Sequence, residues 1–294
     1  MSKHSINYEQ LPKVMKNIDL HTHSTVSDGT YSPSELIDLA ETQNLAVVAL
    51  TDHDTVAGLT EFIKRAESSD VIAVPGVEVA VNWRYKEIHI LGLWIRDDCS
   101  ELNNLLKEIR NNRHARNDKI IDKLQENGYS ITIDEVKEVA KGESIGRPHL
   151  ATILVKKGFF KTVKDVFSTC LARGGTGYVA RILSDPETAI SAIHKAGGIA
   201  FWAHPVHRSH SNTKDILSTM KHFKELGLDG VEAYYSEFSK TQHEMLLKYA
   251  KNLGMAVCGG SDFHGDNQPN ILMGKGRGNL SVPKSVYDDL CKIL

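Results

Sequence analysis

The sequence predicts an α/β barrel that carries an inserted helical segment. Seven short apolar runs recur along the chain, and amphipathic helical stretches separate most of them. His, Asp and Glu residues stand at the carboxyl ends of nearly all these runs. The carboxyl ends of the strands converge on one face of a parallel barrel, so these polar residues would meet at a single site there. An open sheet would not bring all of them together, and a barrel is therefore favoured.

The seven apolar runs are interpreted as buried parallel strands. In chain order they are NIDLHTH, AVVALTDHD, VIAVPGVEV, EIHILGLW, GIAFWAHP, GVEAYY and AVCGGSDFH. Continuous apolar runs of this length are typical of strands that are covered on both faces. We therefore expect all seven to run parallel in one sheet.

The helical stretches carry recognisable start signals. SPSELIDLAETQ begins at a serine that can cap a helix, either Ser32 or Ser34. DPETAISAIHKAGG has Asp185 at the cap position and Pro186 in the first turn, where the missing amide hydrogen costs nothing. These signals place one helix after the first strand and one before the fifth.

The alternation of strand and helix breaks between about residues 97 and 184. Here SELNNLLKEIRNNRHARNDKIIDKLQENGY predicts a long helix closed by Asn127-Gly128, followed by shorter helical patterns. We predict a barrel made of residues 1–96 and 185–294, with residues 97–184 forming a helical insertion that caps the active site.

Three arginines recur at three-residue spacing on the long predicted helix. Arg110, Arg113 and Arg116 would therefore lie along one side of it. Because charge runs on helices usually face water, we expect a solvated surface here.

Composition limits the classes of function. The chain has 294 residues, of which 41% are apolar and 24% charged, as in ordinary globular proteins. Its formal net charge of −2 argues against a broad electrostatic grip on a nucleic-acid backbone, so stable or sequence-specific DNA binding is not expected. A local basic pocket for one or two phosphates remains compatible with this charge.

Cysteine usage and hydropathy predict a cytoplasmic protein. The four cysteines form no CxxC pair, so neither a zinc knuckle nor a disulfide scaffold is indicated. The first residues, MSKHSINYEQLPKVMKN, lack the apolar segment of a signal peptide, and no run reaches the roughly 20 apolar residues that span a bilayer. No membrane partner is expected.

Nine nitrogen and oxygen ligands recur around the predicted strand ends. His21 and His23 alternate after the first strand, so both side chains point to the same side of the chain. A lone histidine is usually a packing or surface residue. Here, however, a ligand-type residue would have to occur by chance at most of the strands. The predicted metal ligands are His21, His23, Asp28, His53, Glu78, His89, His204, Asp262 and His264.

Imidazole and carboxylate ligands without thiolates suit borderline or hard divalent ions. Nine ligands are too many for one tetrahedral ion, so two or three divalent metals are expected, manganese first, with iron or zinc as alternatives. A carboxylate can bridge two metals through its two oxygens, and Glu78 is the natural bridging residue.

The ordered motifs HTHSTVSDG, TDHD, PGVE, EIHILG, AHP and GSDFH resemble those of the PHP (polymerase and histidinol phosphatase) phosphoesterases. The resemblance implies a distorted (β/α)7, TIM-like barrel, the PHP fold, with a trinuclear metal site. It assigns one metal to His21, His23, Glu78 and Asp262. A second metal would be held by Asp28, His53 and His264, and a third by Glu78, His89 and His204.

The resemblance continues through the insertion. GRPHLA and LARGGTGYV are similar to segments of the bacterial PHP subgroup that includes exoribonuclease AM and nucleoside 3′,5′-bisphosphate phosphatases. The chain departs from the expected pattern at Gly175, where the subgroup is expected to have a lysine. That lysine would contact a phosphate, so the departure bears on substrate preference.

The resemblance predicts hydrolysis of a phosphate ester on a nucleotide by a metal-bridging hydroxide. The substrate would be the 3′-phosphate of a nucleoside 3′,5′-bisphosphate or the 5′ end of a short RNA cleaved in the 5′-to-3′ direction. The catalytic role is assigned to Glu78, Asp262 and His264. Five residues are predicted to contact the substrate: Arg147, His149, Arg173, Tyr178 and Arg208. Arg147 ranks first because Gly146 and Pro148 flank it and suggest a fixed turn.

Other interpretations remain open at this point. Asp52 and Asp54, on either side of His53, could be ligands or could orient an imidazole. The same barrel site could serve a histidinol-phosphate phosphatase. A non-catalytic metal-binding module, similar to the PHP domains of replicative polymerases, is the alternative from another class.

Overall fold

Eight strands form one sheet that curls into a nearly closed barrel. The computed structural model describes residues 17–140, 146–206 and 213–294. The strands are β1 (Asn17–Asp19), β2 (Leu45–Leu50), β3 (Ile72–Trp83), β4 (Lys86–Leu93), β5 (Ile199–Trp202), β6 (Gly230–Tyr235), β7 (Ala256–Gly260) and β8 (Val282–Pro283). Their order in the sheet is β7-β6-β5-β4-β3-β2-β1-β8, so seven strands neighbour one another in chain order. The predicted α/β barrel is confirmed.

The backbone just beyond β1 meets the backbone of β7 and closes the barrel. The Leu20 amide donates to the Gly259 carbonyl at 3.1 Å, and the Asp262 amide donates to the His21 carbonyl at 2.9 Å. A methyl group on Gly260 would lie 2.4 Å from the His21 Cβ. Gly260 therefore allows the two backbone segments to approach closely enough for His21 to lie beside Asp262.

One of the seven predicted parallel strands runs in the opposite direction. β4 pairs antiparallel with both β3 and β5, so the prediction of an all-parallel sheet is wrong at this strand. The cause is local: only Arg84 and Tyr85 separate β3 from β4, and both adopt left-handed φ angles, 50° and 64°. A two-residue connection makes a hairpin, because a parallel crossover needs a dozen residues or more.

Helices cover the barrel between the strands. They are α1 (Pro33–Thr42), α2 (Leu59–Ala66), α3 (Ser100–Glu126), α4 (Ile133–Ala140), α5 (Arg147–Lys156), α6 (Val163–Val166), α7 (Pro186–Lys195), α8 (Thr213–Glu225), α9 (Lys240–Leu253) and α10 (Lys284–Leu290). A π-helical turn (Phe167–Leu171) follows α6. Among the helices of these described ranges, none combines the length and the apolar character that a membrane crossing would need.

The predicted helix signals are confirmed. Ser32 rather than Ser34 caps α1, and Glu35 completes a reciprocal capping box. The Asp185 carboxylate accepts from the amide of Thr188 at 2.8 Å at the start of α7. The long helix α3 ends at Glu126, and Gly128 follows with a φ of +85°.

The helices between β4 and α7 have an apolar core of their own. Ile120, Leu124, Leu150, Leu154 and Leu171 are buried in a cluster that is separate from the two apolar clusters of the barrel. The first half of α3 packs into the barrel core through Leu102, Leu106 and Ile109, and the rest of this segment forms a helical layer around its own cluster.

Candidate metal centre

The nine predicted ligands converge at one end of the barrel. His21 and His23 follow β1, Asp28 lies on the next loop and His53 follows β2. The other five are Glu78 in β3, His89 in β4, His204 just after β5, and Asp262 and His264 after β7. Residues that span more than 240 positions of sequence thus meet at one face, as the strand ends of a barrel require.

The ligand atoms form three overlapping groups, and within each group they lie within 4.8 Å of one another. The first group is His21, His23, Glu78 and Asp262. The second is His23, Asp28, His53 and His264, and the third is His53, Glu78 and His89. The first is the same as the set implied by the resemblance, while the second gains His23 and the third contains His53 where His204 was expected.

Glu78 is the centre of the cluster. Its side chain is fully buried, and Oε1 lies 2.8 Å from both His89 Nδ1 and His204 Nε2. Oε2 lies 2.8 Å from His53 Nδ1 and 3.4 Å from His23 Nε2. His204 therefore joins the cluster through Glu78, and both carboxylate oxygens are placed as a bridging ligand requires.

Several buried polar atoms at this centre have no hydrogen-bond partner. They are His21 Nε2, His23 Nδ1 and Nε2, Glu78 Oε2 and Asp262 Oδ1. Leaving a buried polar group unpaired costs about 1–3 kcal/mol, so five at one place would be expensive without a ligand. Divalent cations would satisfy all five, and the mixed nitrogen and oxygen set fits such ions.

The carboxylates and imidazoles of the centre shift one another's pKa values. Burial alone would raise the pKa of the Glu78 carboxyl, but the rings of His89, His53 and His21 hold it well below its usual range. Burial, with the rings of His264 and His53, lowers the pKa of His23 to about 3. Although burial opposes it, Glu78 raises the pKa of His53 and, with Glu87, that of His89 to about 10. Because neutral imidazoles bind metal, an ion that bound at His53 or His89 would displace a proton.

Glu232 is a residue of the centre that sequence reasoning missed. It is fully buried in β6, where Oε1 lies 2.9 Å from His21 Nδ1 and Oε2 accepts from the His204 amide at 2.7 Å. The contact leaves His21 Nε2 facing Glu78 and Asp262, each at 3.5 Å. The only sequence signal was one acidic residue inside the apolar strand GVEAYY.

Asp52 and Asp54 have different roles, and neither hydrogen-bonds an imidazole within the described residues. Asp52 accepts from the hydroxyl groups of Ser24 and Ser27, both at 2.6 Å, and thereby holds the loop that leads to Asp28. Asp54 is buried with a left-handed φ of 54°, and it turns toward the helical layer instead of the metal centre.

The arginine face of α3 is not solvated, so that prediction is wrong. The Arg113 guanidinium pairs with the Asp54 carboxylate, and Arg110 donates to the Asp54 carbonyl at 2.6 Å. Arg116 is buried and donates to the carbonyl of Val179 at 2.8 Å. A buried carboxylate opposite the helix draws this face inward, and only the folded chain brings Asp54 there.

Arg113 and Arg116 border a cavity of about 190 Å³ beside the metal centre. Its charged and titratable lining comprises Asp28, His53, Glu87, His89, Arg113, Arg116, Arg147 and Arg181. Four guanidinium groups thus face two lining carboxylates, and the buried Asp54 carboxylate pairs with Arg113 and Arg181. Four positive charges against three negative ones leave a small positive excess. Burial and the charges of Arg147 and Arg181 lower the pKa of Arg116 to about 10, as expected where cations are crowded together. We call this cavity the arginine pocket.

The predicted substrate contacts are distributed unevenly around this pocket. Arg147 lines it, as expected, and its Nη1 donates to the Leu171 carbonyl at 3.2 Å. His149 and Tyr178 are half-buried nearby, with His149 Nδ1 accepting from the Gly146 amide at 3.1 Å. Arg173 is exposed and is not among the lining residues of the pocket. Arg208 lies outside the described residues.

Gly175 stands where the loop backbone leaves no room for a side chain. A Cβ at this position would lie 2.4 Å from the carbonyl oxygen of Cys170. A lysine could therefore not occupy the position without moving the loop. Gly175 therefore offers no side-chain contact to a phosphate.

Comparison with known proteins gives a consistent picture. A model of the PHP domain matches residues 19–179. The chain is 38% identical over 249 residues to a 5′–3′ exoribonuclease of Haemophilus influenzae. The alignment covers 85% of this chain and 90% of that protein. It is 35% identical to a 3′,5′-nucleoside bisphosphate phosphatase of Chromobacterium violaceum, over 85% and 88% of the two chains. A solved C. violaceum structure, described as an amidohydrolase with bound sulfate and no metal, has a TM-score of 0.80 at 32% identity, covering 94% of this chain and 96% of its own.

Proposed function

Because the chain belongs to the PHP family of phosphoesterases, we propose that it hydrolyses phosphate esters on nucleotides. The substrate is either the 3′-phosphate of a nucleoside 3′,5′-bisphosphate or the 5′-terminal linkage of a short RNA. One observation carries the proposal: a buried cluster of unpaired ligand atoms lies beside a pocket in which arginines predominate.

The nine clustered residues would hold two or three divalent ions, with manganese proposed first and iron or zinc as alternatives. Such ions would supply Lewis acidity at phosphate oxygens and lower the pKa of water to near neutrality. The role of the nine side chains is to hold their nitrogen and oxygen atoms in position around the ions. We keep Glu78, Asp262 and His264 as the catalytic residues because each belongs to one of the ligand groups and Glu78 joins two of them.

The arginine pocket is proposed to bind the second phosphate of the substrate. All four of its arginines lie between residues 97 and 184, which supports the role of the insertion as a cap. Guanidinium groups form paired hydrogen bonds with phosphate oxygens. Histidinol phosphate, by contrast, carries an ammonium group, which a pocket with a positive excess would repel. The pocket therefore favours a nucleotide with two phosphates.

The relatives support both nucleotide substrates. One is named as a 5′–3′ exoribonuclease and another as a 3′,5′-nucleoside bisphosphate phosphatase. The C. violaceum structure holds sulfate, a tetrahedral oxyanion of the same shape as phosphate.

The proposal is tested with one preparation of manganese-loaded protein. We expect phosphate release from adenosine 3′,5′-bisphosphate, shortening of 5′-monophosphorylated RNA, or both, at rates well above those with histidinol phosphate. Parallel assays with iron and zinc would identify the preferred metal. Activity on histidinol phosphate alone would refute the nucleotide assignment, and metal binding without hydrolysis of any of these substrates would favour the non-catalytic alternative.

Arg147→Gln should selectively weaken hydrolysis of a substrate with two phosphates. A hydrogen bond to a charged group contributes about 1.5–3 kcal/mol, which corresponds to a change in kcat/KM of roughly 10- to 150-fold. We therefore expect kcat/KM for adenosine 3′,5′-bisphosphate to fall by at least about tenfold, while that for adenosine 3′-monophosphate changes little.

Arg173→Gln is the matched control, because Arg173 is exposed and does not line the arginine pocket. It should preserve the preference for the bisphosphate. If the two variants lost that preference equally, the arginine pocket would not be the site of the second phosphate.

A further inference from the structure

A second cavity borders the metal centre at Asp262. Its volume is about 400 Å³, and its polar lining includes Tyr235, Asp262, Asn267, Gln268, Asn270 and Arg277. It shares no lining residue with the arginine pocket, so the two cavities reach the centre at different ligands. We call it the amide cavity.

The walls of the amide cavity are in contact with the metal ligands. The Tyr235 hydroxyl donates to Asp262 Oδ2 at 2.9 Å, and Gln268 Nε2 lies 3.2 Å from His264 Nδ1. The Asn267 amide donates to the carbonyl of Asp28 at 2.7 Å. A group bound in this cavity would therefore adjoin the ligand cluster directly.

The two cavities differ in charge and size. The amide cavity is lined by one arginine, Arg277, which is ion-paired with the lining carboxylate of Glu237. Its other polar lining residues are the carboxylate Asp262, one tyrosine and three side-chain amides. Amides and a tyrosine suit the neutral hydrogen-bonding groups of a nucleoside better than a second dianionic phosphate. Small-molecule sites typically enclose about 300–1,000 Å³. The amide cavity, at about 400 Å³, lies in this range, whereas the arginine pocket, at about 190 Å³, has room for little more than a phosphate group.

The chemistry of the two proposed substrates differs at one point only. In the bisphosphate, the phosphorus on O3′ carries no further substituent, whereas in RNA one of its oxygens is the O5′ of the next nucleoside. Hydrolysis of either breaks the P–O3′ bond: O3′ takes a proton from water, and the remaining hydroxide oxygen bonds to phosphorus. In RNA the phosphate then stays on the second nucleoside. When the 5′-phosphate is bound in the arginine pocket, the second nucleoside of the RNA has to extend from the metal centre in another direction.

We propose that the amide cavity binds the second nucleoside of a 5′-monophosphorylated oligoribonucleotide. The inference rests on the proposed function, because it takes the phosphoester to be hydrolysed at the metal centre. Side-chain amides both donate and accept hydrogen bonds, so the cavity accommodates more than one base.

The experiment compares two substrates with variants of the amide cavity. The double variant Asn270→Ala/Arg277→Ala is assayed with 5′-phosphorylated diadenylate and with adenosine 3′,5′-bisphosphate, both with manganese. Loss of one or two hydrogen bonds to the second nucleoside should lower the ratio of kcat/KM for the dinucleotide to that for the bisphosphate by about tenfold, mainly through KM. Lys275→Ala is the matched control, since Lys275 lies in the same loop but donates to Gln43 and is not among the lining residues.

A second variant covers the case in which the first is unstable. Asn270→Trp adds bulk at an exposed lining position and should lower the same ratio by obstructing the cavity. A ratio that stays within twofold of the wild type in both variants would overturn the inference, as would wild-type protein that hydrolyses the bisphosphate but not the dinucleotide. Wild-type protein that hydrolyses neither substrate would instead refute the proposed function.

Discussion

Replacing Glu78 by glutamine should remove nearly all hydrolytic activity while leaving the chain folded. Glu78 is the only carboxylate that belongs to two of the three ligand groups in the described part of the chain, and its two oxygens lie within 3.5 Å of five imidazoles. The amide keeps the shape of the side chain but loses its charge and one acceptor. Changes to outer-shell partners of metal ligands already cost about 10- to 100-fold in affinity or activity, so the loss here should exceed about 100-fold.

The measurement combines turnover of adenosine 3′,5′-bisphosphate with the metal content of the purified variant and its thermal unfolding. We expect fewer bound metal ions per chain and a cooperative transition. Glu61→Gln is a suitable control, because Glu61 is an exposed residue of α2 that contacts Ser34 and no metal ligand. Full metal content together with wild-type turnover in the Glu78 variant would contradict a bridging role.

The second large effect is expected at Glu232, which has no hydrogen bond or ion pair with those predicted substrate contacts that lie in the described residues. Its carboxylate accepts a hydrogen bond from the His204 amide and fixes the His21 ring through Nδ1. Glu232→Ala would free the ring and lower metal affinity by about 10- to 100-fold, the range measured for such partners. Glu232→Gln keeps a single acceptor oxygen for two donors, so we expect a smaller loss.

Metal titration of activity distinguishes this positioning role from simple instability. Raising the manganese concentration should restore much of the turnover of the Glu232→Ala variant, because the ligands themselves remain. Glu244→Gln, on the exposed surface of α9, serves as the control. If excess metal restored no activity in a variant that is still folded, Glu232 would have a role other than orienting His21.

The sequence was sufficient to predict the barrel and the clustering of the candidate ligands because both depend on local order. His21 and His23 alternate on an extended chain, and each remaining candidate lies in or just after a recognisable apolar run. A barrel then brings the carboxyl ends of its parallel strands together, and the reversed strand β4 contributes His89 from near its amino end. The resemblance of the motifs added the grouping of the candidate ligands, which the interatomic distances match in the first group and modify in the other two.

What the sequence could not reveal depends on contacts between distant segments. Arg113 and Asp54 are 59 positions apart, and the inward face of α3 follows from that encounter and not from its own spacing. Glu232 gave only the weak signal of an acid in an apolar strand. The reversal of β4 was more accessible, since the seven residues AVNWRYK between the runs VIAVPGVEV and EIHILGLW leave no length for a crossover helix.

Asp54 also limits how this protein could be redesigned. Its buried carboxylate immediately follows the ligand His53, and its countercharges, Arg113 and Arg181, come from the helical layer. Removing one partner of a buried ion pair typically costs about 3–5 kcal/mol. A chimaera that exchanges this layer for one from another enzyme would therefore have to supply guanidinium groups at the same place, or replace Asp54 at the same time. New specificities are more readily engineered by altering the arginines that do not pair with Asp54.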